Sequence, residues 1–178
     1  MNSIHAMQPE ETRKPLSGRD AVAKIREIVR ESPNCFFCTE LPSGESAGTR
    51  PMNVRHVDDE GNLWFLSSDD SHKNYELSID ASVKLFFQGS EHSGFLHLNG
   101  CATISNDKDN IRKLWEPLLR TWFTGGIDDP RITVIKVTPL DGYYWDTRHG
   151  NAVAAVKMIA GAVLGRTLDD SVEGRLVV

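Results

Sequence analysis

The feature that most constrains the fold of this chain is a succession of short apolar runs with strand-like character, separated by Gly, Pro, Asn and Asp turn signals. The runs do not alternate regularly with helical segments, so a doubly wound parallel sheet is a poor fit. With 178 residues, the chain can form one domain with a sizeable core. We therefore expect a mainly β (α+β) fold, a small barrel of about six to seven mostly antiparallel strands with helices packed outside. The predicted strands are 35–39, 52–57, 63–67, 83–89, 95–105, 132–137 and 142–146.

Four segments have helical spacing or helix-capping residues. The first predicted helix ends near Glu31, and its apolar face consists of Val22, Ile25, Ile28 and Val29. Ser71 and Asp107 can each cap a further helix, and residues 151–165 form a strongly apolar helical segment. This pattern predicts a flexible N-terminal arm over 1–16, a main domain over 17–150, and a C-terminal helix and tail over 151–178. The tail is expected to pack on the domain or across a subunit interface.

Charge and hydropathy exclude several classes of protein. The net charge is −5 and no basic run occurs, so nucleic acid is not an expected partner. No apolar segment approaches the roughly 20 residues that span a bilayer, so no membrane association is expected. The N-terminus lacks the apolar core of a signal peptide and the three cysteines do not form a disulfide framework. We therefore expect a cytoplasmic protein.

The cysteines and histidines do not form a recognisable reactive or metal site. Cys35 and Cys38 lie in a strand-like run after a helix, whereas a thioredoxin-like CxxC begins the helix that follows a strand. Residues three apart on a strand face opposite sides, which disfavours a shared metal ion. Core packing is therefore favoured over redox chemistry, and no metal site is expected. The six histidines lack metal-binding helical spacing, and Walker and GxGxxG patterns are absent.

Two tryptophans lie at edges of predicted elements. Trp122 adjoins a Gly-Gly loop and Trp145 ends a predicted strand. Aromatic side chains in such places can stack against a flat ligand, although packing in the core is the alternative.

The segment 50–73 has the composition of an anion-binding site. Four polar residues occur where a predicted strand ends and a helix begins, namely Ser67, Ser68, Ser71 and Lys73. The N-terminus of a helix presents unpaired N–H groups and partial positive charge, which suits a phosphate. A hairpin of 52–57 with 63–67 would bring Arg50 to the same end, and Arg55 is expected on that side as well. The alternative is a capped helix with a solvated Lys and Arg.

Several segments in a fixed order carry a family resemblance. The first are Arg50-Pro51-Met52, Gly61-Asn62-Leu63-Trp64-Phe65, Ser71-His72-Lys73 and the strand that contains Gly100. The later ones are Leu114-Trp115-Glu116-Pro117, Trp122-Phe123-Thr124-Gly125-Gly126, Asp129-Pro130 and Tyr144-Trp145-Asp146. Together they resemble the FMN-binding split-barrel family, which includes the pyridoxamine 5'-phosphate oxidases. The later segments are more similar to the general stress protein 26 branch, and the resemblance runs from about residue 17 to the end.

The resemblance implies a split β-barrel homodimer with two FMN molecules at the subunit interface, with FAD as the alternative cofactor. Arg50 and Lys73 would hold the phosphate, helped by Ser71 or His72. The segment Pro51, Met52 and Asn53 would run along the isoalloxazine ring. The remaining implied contacts are Ser67 and Ser68 with the ribityl or phosphate portion, and Trp145 and Trp122 from the other subunit.

The sequence departs from true pyridoxamine phosphate oxidases after the last tryptophan. Those enzymes have an Arg-x-His element shortly after that position, whereas Arg148 and His149 are adjacent here and lie too early. His72 also replaces the second basic residue beside the phosphate-binding Lys. Oxidation of vitamin B6 is therefore disfavoured.

The expected function is that of an FMN-binding general stress protein. As an enzyme it would transfer a hydride or electrons between a donor such as NAD(P)H and a small acceptor, and no side chain is assigned as a catalytic acid or base. A flavin-binding or flavin-sensing protein without turnover is the alternative, followed by a pyridoxamine 5'-phosphate oxidase.

Overall fold

A computed structural model describes residues 13–40, 48–89, 94–147 and 171–178. Within these ranges the chain forms one mixed sheet of nine strands. The strands are β1 (Leu16–Ser17), β2 (Asn34–Thr39), β3 (Thr49–Asn53), β4 (His56–Val57), β5 (Leu63–Ser68), β6 (Ser82–Gln88), β7 (Phe95–Ser105), β8 (Ile132–Thr147) and β9 (Ser171–Val177). The helices are α1 (Arg19–Glu31), α2 (His72–Ile79) and α3 (Lys108–Leu114), with short 3-10 turns at Pro117–Thr121 and Gly126–Asp128.

The pairing order bends the sheet into a barrel. The main path is β1-β9-β8-β7-β6-β2-β3, while β5 pairs with the first half of β8 and β4 pairs with β5. All these pairs are antiparallel except β1 with β9. Only Val54 and Arg55 separate β3 from β4, so this continuous segment joins β3, at one end of the main path, to the β4–β5 branch. The Val54 amide still donates to Pro33 O on the β2 side (2.8 Å), whereas the Arg55 amide donates to Trp64 O on β5 (2.8 Å). The barrel is therefore split at Val54–Arg55, as the strand changes partners there.

The predicted hairpin of 52–57 with 63–67 is only partly correct. Just His56–Val57 pairs with β5, while the preceding residues pair with β2 in a register that sets Arg50 opposite Phe37. The two predicted strands 132–137 and 142–146 are also wrong as separate elements, because β8 runs through both.

β8 continues through an irregularity in its pairing with β7. The β7–β8 register shifts between Asn99 and Gly100, opposite Pro139. A Cβ at Gly100 would lie 2.7 Å from the carbonyl oxygen of Thr138, so a side chain there would collide with the backbone. The predicted close approach at Gly100 is confirmed. The shift accommodates a proline, which cannot donate to the ladder, without ending the strand.

The chain ends join the sheet, which the sequence did not reveal. Residues 171–177, expected as a tail, form β9 along the second half of β8. The last residues of the expected N-terminal arm are ordered against it, since the Lys14 amide donates to Glu173 O (2.8 Å) and Leu16–Ser17 pairs with β9. The rest of that arm and the predicted apolar helix 151–165 lie outside the described residues.

Replacing Gly174 with alanine is expected to detach the N-terminal segment from β9. A Cβ at this position would lie 2.1 Å from the carbonyl oxygen of Lys14, the same oxygen that accepts the Tyr144 hydroxyl at 2.8 Å. We expect a loss of about 1–3 kcal/mol in unfolding free energy, typical of overpacking. Hydrogen exchange should show the Lys14 amide losing protection while amides of the β6–β7 ladder keep theirs. Unchanged protection at Lys14 would contradict this arrangement.

Two hydrophobic clusters support the fold. The larger fills the barrel and includes Phe37 and Phe65, whose rings meet edge to face with centroids 5.4 Å apart. α1 covers it with Ala21, Ile25, Ile28 and Val29. The smaller cluster joins α3 to the start of β8. Among the described helices, none combines the length and the apolar character needed to cross a membrane.

Candidate functional site

The start of α2 is held in place by a buried polar network. Ser71 caps the helix by accepting from the Asn74 amide, which confirms the predicted cap. The Asn74 side chain accepts from Ser67 Oγ (2.8 Å) and donates to Thr133 Oγ1 (2.9 Å), and Thr133 in turn donates to Ser67 O (3.2 Å). Because these contacts span β5, α2 and β8, they fix the first turn of α2 against the barrel. Ser67 is buried within this network, so it helps to hold the first turn of α2 in place.

The remaining polar residues at this end differ in exposure. Ser68 is half-buried and donates to Asp70 Oδ1 (2.5 Å), while His72 is exposed. Asp69 and Asp70 are also exposed beside the helix start. The sequence prediction took account of the hydroxyls and the Lys here but not of these two carboxylates.

Two cations, Arg50 and Lys73, lie beside the first turn of α2. Arg50 reaches over from β3 and pairs with Glu76 of α2, with Nη1 2.7 Å from Oε2. Lys73 is half-buried, and its pKa is lowered by burial and then by the nearby positive charge of Arg50. Across the described parts of the chain, Lys73 has neither a hydrogen bond nor an ion pair of its own. The carboxylates of Asp70 and Glu76 oppose this lowering without forming an ion pair with Lys73. A half-buried cation without a direct ion pair is suited to an anionic ligand.

Arg50 therefore reaches the predicted place by a route other than the predicted one. The expected hairpin would have carried it there through β5, but β3 pairs with β2 at this level. The contact with α2 comes from the long Arg side chain, which crosses from the barrel edge to Glu76.

Glu76 is a residue of this site that the sequence did not single out. Burial alone would raise its pKa, but hydrogen bonds from Arg50 and from Thr39 outweigh burial and lower it. The carboxylate is therefore ionised at neutral pH. The only local signal was a Glu on the same helix as Lys73, which is uninformative without knowledge that β2 and β3 lie beside it.

Arg55 points to a different part of the molecule, contrary to the expectation that it shares a side with Arg50. Its Nη2 lies 2.5 Å from Glu116 Oε1, its Nε donates to Leu114 O (3.4 Å), and its Nη1 donates to Asn53 Oδ1 (2.9 Å). It lines a cavity of about 400 Å³ between the β4–β5 hairpin and α3. Because this cavity lies apart from the start of α2, it is here called the second cavity. The lining residues are Arg55, His56, Asp58, Trp64, Asn110, Lys113 and Leu114.

This second cavity combines an aromatic wall with charged side chains of both signs. Asp58 fixes the Trp64 indole by accepting from its Nε1 (2.8 Å), and it also accepts from the amide and side chain of Asn62 (2.8 and 3.0 Å). These hydrogen bonds lower the pKa of Asp58 although burial opposes them. Asp58 is therefore ionised and Arg55 is paired with Glu116, so the cavity has charges of both signs, together with the exposed Lys113. The sequence does not reveal this cavity, because residues 58–62 predict only a turn.

The predicted ring-binding segment lies on β3, next to both sites. Asn53 donates from Nδ2 to Asn34 Oδ1 (2.9 Å) and accepts from Arg55, so it links β3 to the second cavity. Met52 is half-buried against the main core, and Pro51 is exposed opposite Phe36 of β2.

The outer side of the sheet carries a band of exposed and half-buried rings, here called the aromatic face. Phe36 is 59% exposed and Trp145 is 42% exposed. His97 stacks on Phe86 at 4.8 Å between ring centroids, and Tyr143 packs beside Trp145 at 4.6 Å. Cross-strand pairing aligns the members of this face, which are Phe36, Phe86, Phe95, His97, Tyr143 and Trp145.

Within one chain, Trp145 does not lie at the start of α2. Trp145 and the Thr133 that contacts α2 occupy opposite ends of the 16-residue β8, up to roughly 40 Å apart at about 3.3 Å per residue. Trp122 is 64% exposed and follows the 3-10 turn at Pro117–Thr121. Arg148 and His149 lie outside the described residues.

The cysteine pair behaves as a structural element. Cys35 is buried, and burial together with the neighbouring Cys38 raises its pKa to about 12. The thiol is therefore protonated and unreactive at neutral pH. In the described parts of the chain, His, Cys, Asp and Glu side chains form no cluster that could hold a metal ion.

Sequence comparison identifies related proteins. Residues 20–169 match the family described as pyridoxamine 5'-phosphate oxidase like. Protein bli-3 of Neurospora crassa is also 31% identical to the chain over 115 residues. This alignment covers 60% of the chain and 49% of bli-3. This chain thus aligns with about half the length of that relative.

Structural comparison confirms the predicted fold. General stress protein 26 from Jannaschia sp. CCS1 superposes with a TM-score of 0.74 at 18% identity, covering 90% of this chain and 100% of that one. The general stress FMN/FAD binding protein of Xanthomonas citri superposes with a TM-score of 0.57 at 23% identity, covering 65% of this chain and 81% of that one. At these identities the likeness concerns the fold alone, and that fold is the split β-barrel.

Proposed function

Because the chain belongs to the pyridoxamine 5'-phosphate oxidase-like family, we propose that it binds FMN with the phosphate at the start of α2. The observation that carries this proposal is Lys73, a half-buried cation with no ion-pair partner among the described residues, placed beside Arg50. A phosphate there receives charge-assisted hydrogen bonds from both side chains and from the N-terminal N–H groups of α2. The exposed His72 and the cap Ser71 lie on the same turn.

The rest of the cofactor follows from the placement of the phosphate. The isoalloxazine ring lies along Pro51, Met52 and Asn53, where backbone groups and the Asn53 amide meet its polar edge. The ribityl chain passes Ser68, while the buried Ser67 stabilises the helix start. FMN is preferred over FAD because a second phosphate would approach the exposed carboxylates of Asp69 and Asp70.

The same proposal includes a homodimer built on the aromatic face. A single copy exposes this row of rings to water, and a second copy would bury it. Pro51 extends the row toward the ring-binding segment, so the cofactor lies at the edge of the interface. Trp145 is too far along β8 to reach the α2 site of its own subunit, but a partner subunit can bring it there, and Trp122 is assigned to the same role.

For activity, we favour a flavin-dependent oxidoreductase of the general stress protein type. The bound flavin supplies hydride and electron transfer, while the chain binds and orients the reactants. The cavity at Arg55 adjoins Asn53 and offers an indole wall and two cations, which suits a small anionic acceptor or the phosphate-bearing donor NAD(P)H. A flavin-binding protein without turnover is the second candidate. The adjacent Arg148 and His149 in the sequence disfavour pyridoxamine 5'-phosphate oxidation itself.

Titration of the purified protein with FMN, riboflavin and FAD tests this function. We expect FMN to bind most tightly and to raise unfolding free energy by about 2.7 kcal/mol at a concentration of 100 times Kd. Anaerobic addition of NADPH or NADH to the FMN complex should then bleach the flavin absorbance. If FMN neither binds nor raises the melting temperature, the proposal fails. Flavin that binds but resists both donors supports the non-catalytic candidate.

A further inference from the structure

We propose that Glu76 is a positioning residue, whose carboxylate holds the guanidinium of Arg50 beside Lys73 so that both cations bind one phosphate group. This inference rests on the proposed FMN site and assigns its phosphate selectivity to a residue that does not itself bind the phosphate. The alternative is that Glu76 only fastens α2 to the barrel.

The Glu76 carboxylate is itself held from two strands. Its Oε2 accepts from Arg50 Nη1 on β3 (2.7 Å) and from Thr39 Oγ1 on β2 (2.5 Å). Thr39 is fully buried, and the side chains of Glu76 and Arg50 are only 13% and 22% exposed. A carboxylate anchored in this way holds its partner in one orientation, whereas a solvent-exposed ion pair would leave it mobile.

The backbone provides the space that this arrangement needs. Gly48, just before β3, lies under the Arg50 side chain, and a Cβ there would be 1.4 Å from Arg50 Nη2. The same Cβ would lie 3.0 Å from Glu76 Oε1. The guanidinium therefore occupies the volume that any other residue at this position would fill.

The charges explain why a carboxylate belongs in an anion site. Arg50 and Lys73 repel each other in a partly desolvated place, and the negative charge of Glu76 offsets that repulsion. Glu76 uses Nη1 of Arg50, so the other guanidinium donors remain for a ligand. Asp70 also acts on Lys73 but is exposed, so the half-buried part of the site holds two cations and one carboxylate. Its excess of positive charge suits a single phosphate group better than uncharged riboflavin.

The test compares the affinities of variants for FMN and for riboflavin, which lacks the phosphate. Glu76→Ala should weaken FMN binding about tenfold or more, the effect of misdirecting one charge-assisted contact, while riboflavin binding changes less than twofold. Glu76→Gln retains an acceptor for Arg50 and Thr39 and should recover most of the preference for FMN. Glu27→Ala removes a carboxylate that pairs with Lys24 on α1 (2.6 Å) and should leave the preference unchanged.

A second variant covers the case in which Glu76→Ala does not fold. Gly48→Ala displaces the Arg50 guanidinium without changing any charge, so it should produce the same selective loss of FMN affinity. The inference is overturned if Glu76→Ala or Gly48→Ala weakens FMN and riboflavin equally, or leaves the preference of the wild-type protein intact. A wild-type protein that binds riboflavin as tightly as FMN would overturn the proposed phosphate site as well.

Discussion

Replacing Arg50 and Lys73 together with alanine is expected to weaken FMN binding by at least a hundredfold and to leave riboflavin binding nearly unchanged. Each side chain makes one charge-assisted contact with the phosphate, worth about 1.5–3 kcal/mol, and the two sum to roughly 3–6 kcal/mol. The Arg50 change adds to the loss, because it leaves the ionised Glu76 carboxylate without its partner beside the phosphate. Fluorescence titration with both flavins measures the effect.

The pH dependence of FMN affinity provides a check on Lys73 itself. Burial and the charge of Arg50 lower the pKa of Lys73 below its ordinary value of 10.5. Only the protonated amine attracts phosphate, so affinity should be complete at neutral pH and fall as the pH rises through this lowered pKa. The Lys73→Ala variant should not show this fall.

The matched control for the double variant lies on α3. Lys108 and Arg112 are exposed cations there, and alanine at both positions removes the same net charge as the double change. If this control weakens FMN as much as the Arg50 and Lys73 changes do, the effect reflects overall charge and the phosphate site is misplaced.

Replacing Phe37 with alanine is expected to cost about 3–5 kcal/mol of unfolding free energy. The side chain is fully buried in the barrel and meets Phe65 edge to face, so truncation leaves a cavity that close-packed neighbours cannot fill. The corresponding fall in melting temperature is roughly 6–20 °C for a domain of this size. Thermal and urea unfolding measure it, and the loss should not depend on protein concentration.

The adjacent Phe36 is the control, because it has the same side chain on the opposite face of β2. It is 59% exposed in the single chain, so alanine there should cost a monomer little. In the proposed dimer it lies on the aromatic face, and its replacement should raise the dissociation constant measured by sedimentation. Equal losses for the two variants at all concentrations would mean that the inward and outward faces of β2 are wrongly assigned.

Two candidate binding regions lie along one strand segment. β3 runs from Arg50, which faces α2, to Asn53, which contacts Arg55 at the second cavity. A ligand along β3 would therefore have its phosphate at one end and the second cavity at the other. In the proposed flavin-dependent reaction, the second cavity would be the place of the second reactant.

Short-range patterns predicted individual elements well because their causes are local. Ser71 and Asp107 cap α2 and α3 as expected, since a capping oxygen needs only the amides two or three residues ahead. The apolar face of α1 and the alternation of β6 and β7 followed from periodicity in the same way. The close approach at Gly100 was also visible, as a glycine inside an alternating strand.

Errors arose where distant partners determined the outcome. Pro139 and Asp141-Gly142 indicate a turn, yet pairing with β7 carries β8 straight through them. The run 171–177 has little apolar alternation, and β8 is what makes it a strand. Residues 52–57 contain no sign that the chain changes partners at Val54–Arg55, because that change is a consequence of closing the barrel.

The sequence by itself determined the strand-rich class, the helix caps, the family resemblance and the residue types of an anion site at 67–73. Only the tertiary structure decided which charges meet: it pairs Arg50 with Glu76, leaves Lys73 without an ion pair among the described residues, and turns Arg55 to a separate cavity. The physical reason is that caps and alternation depend on neighbours within a few residues. The electrostatics of a site depend instead on side chains that barrel closure brings together from strands far apart in the chain.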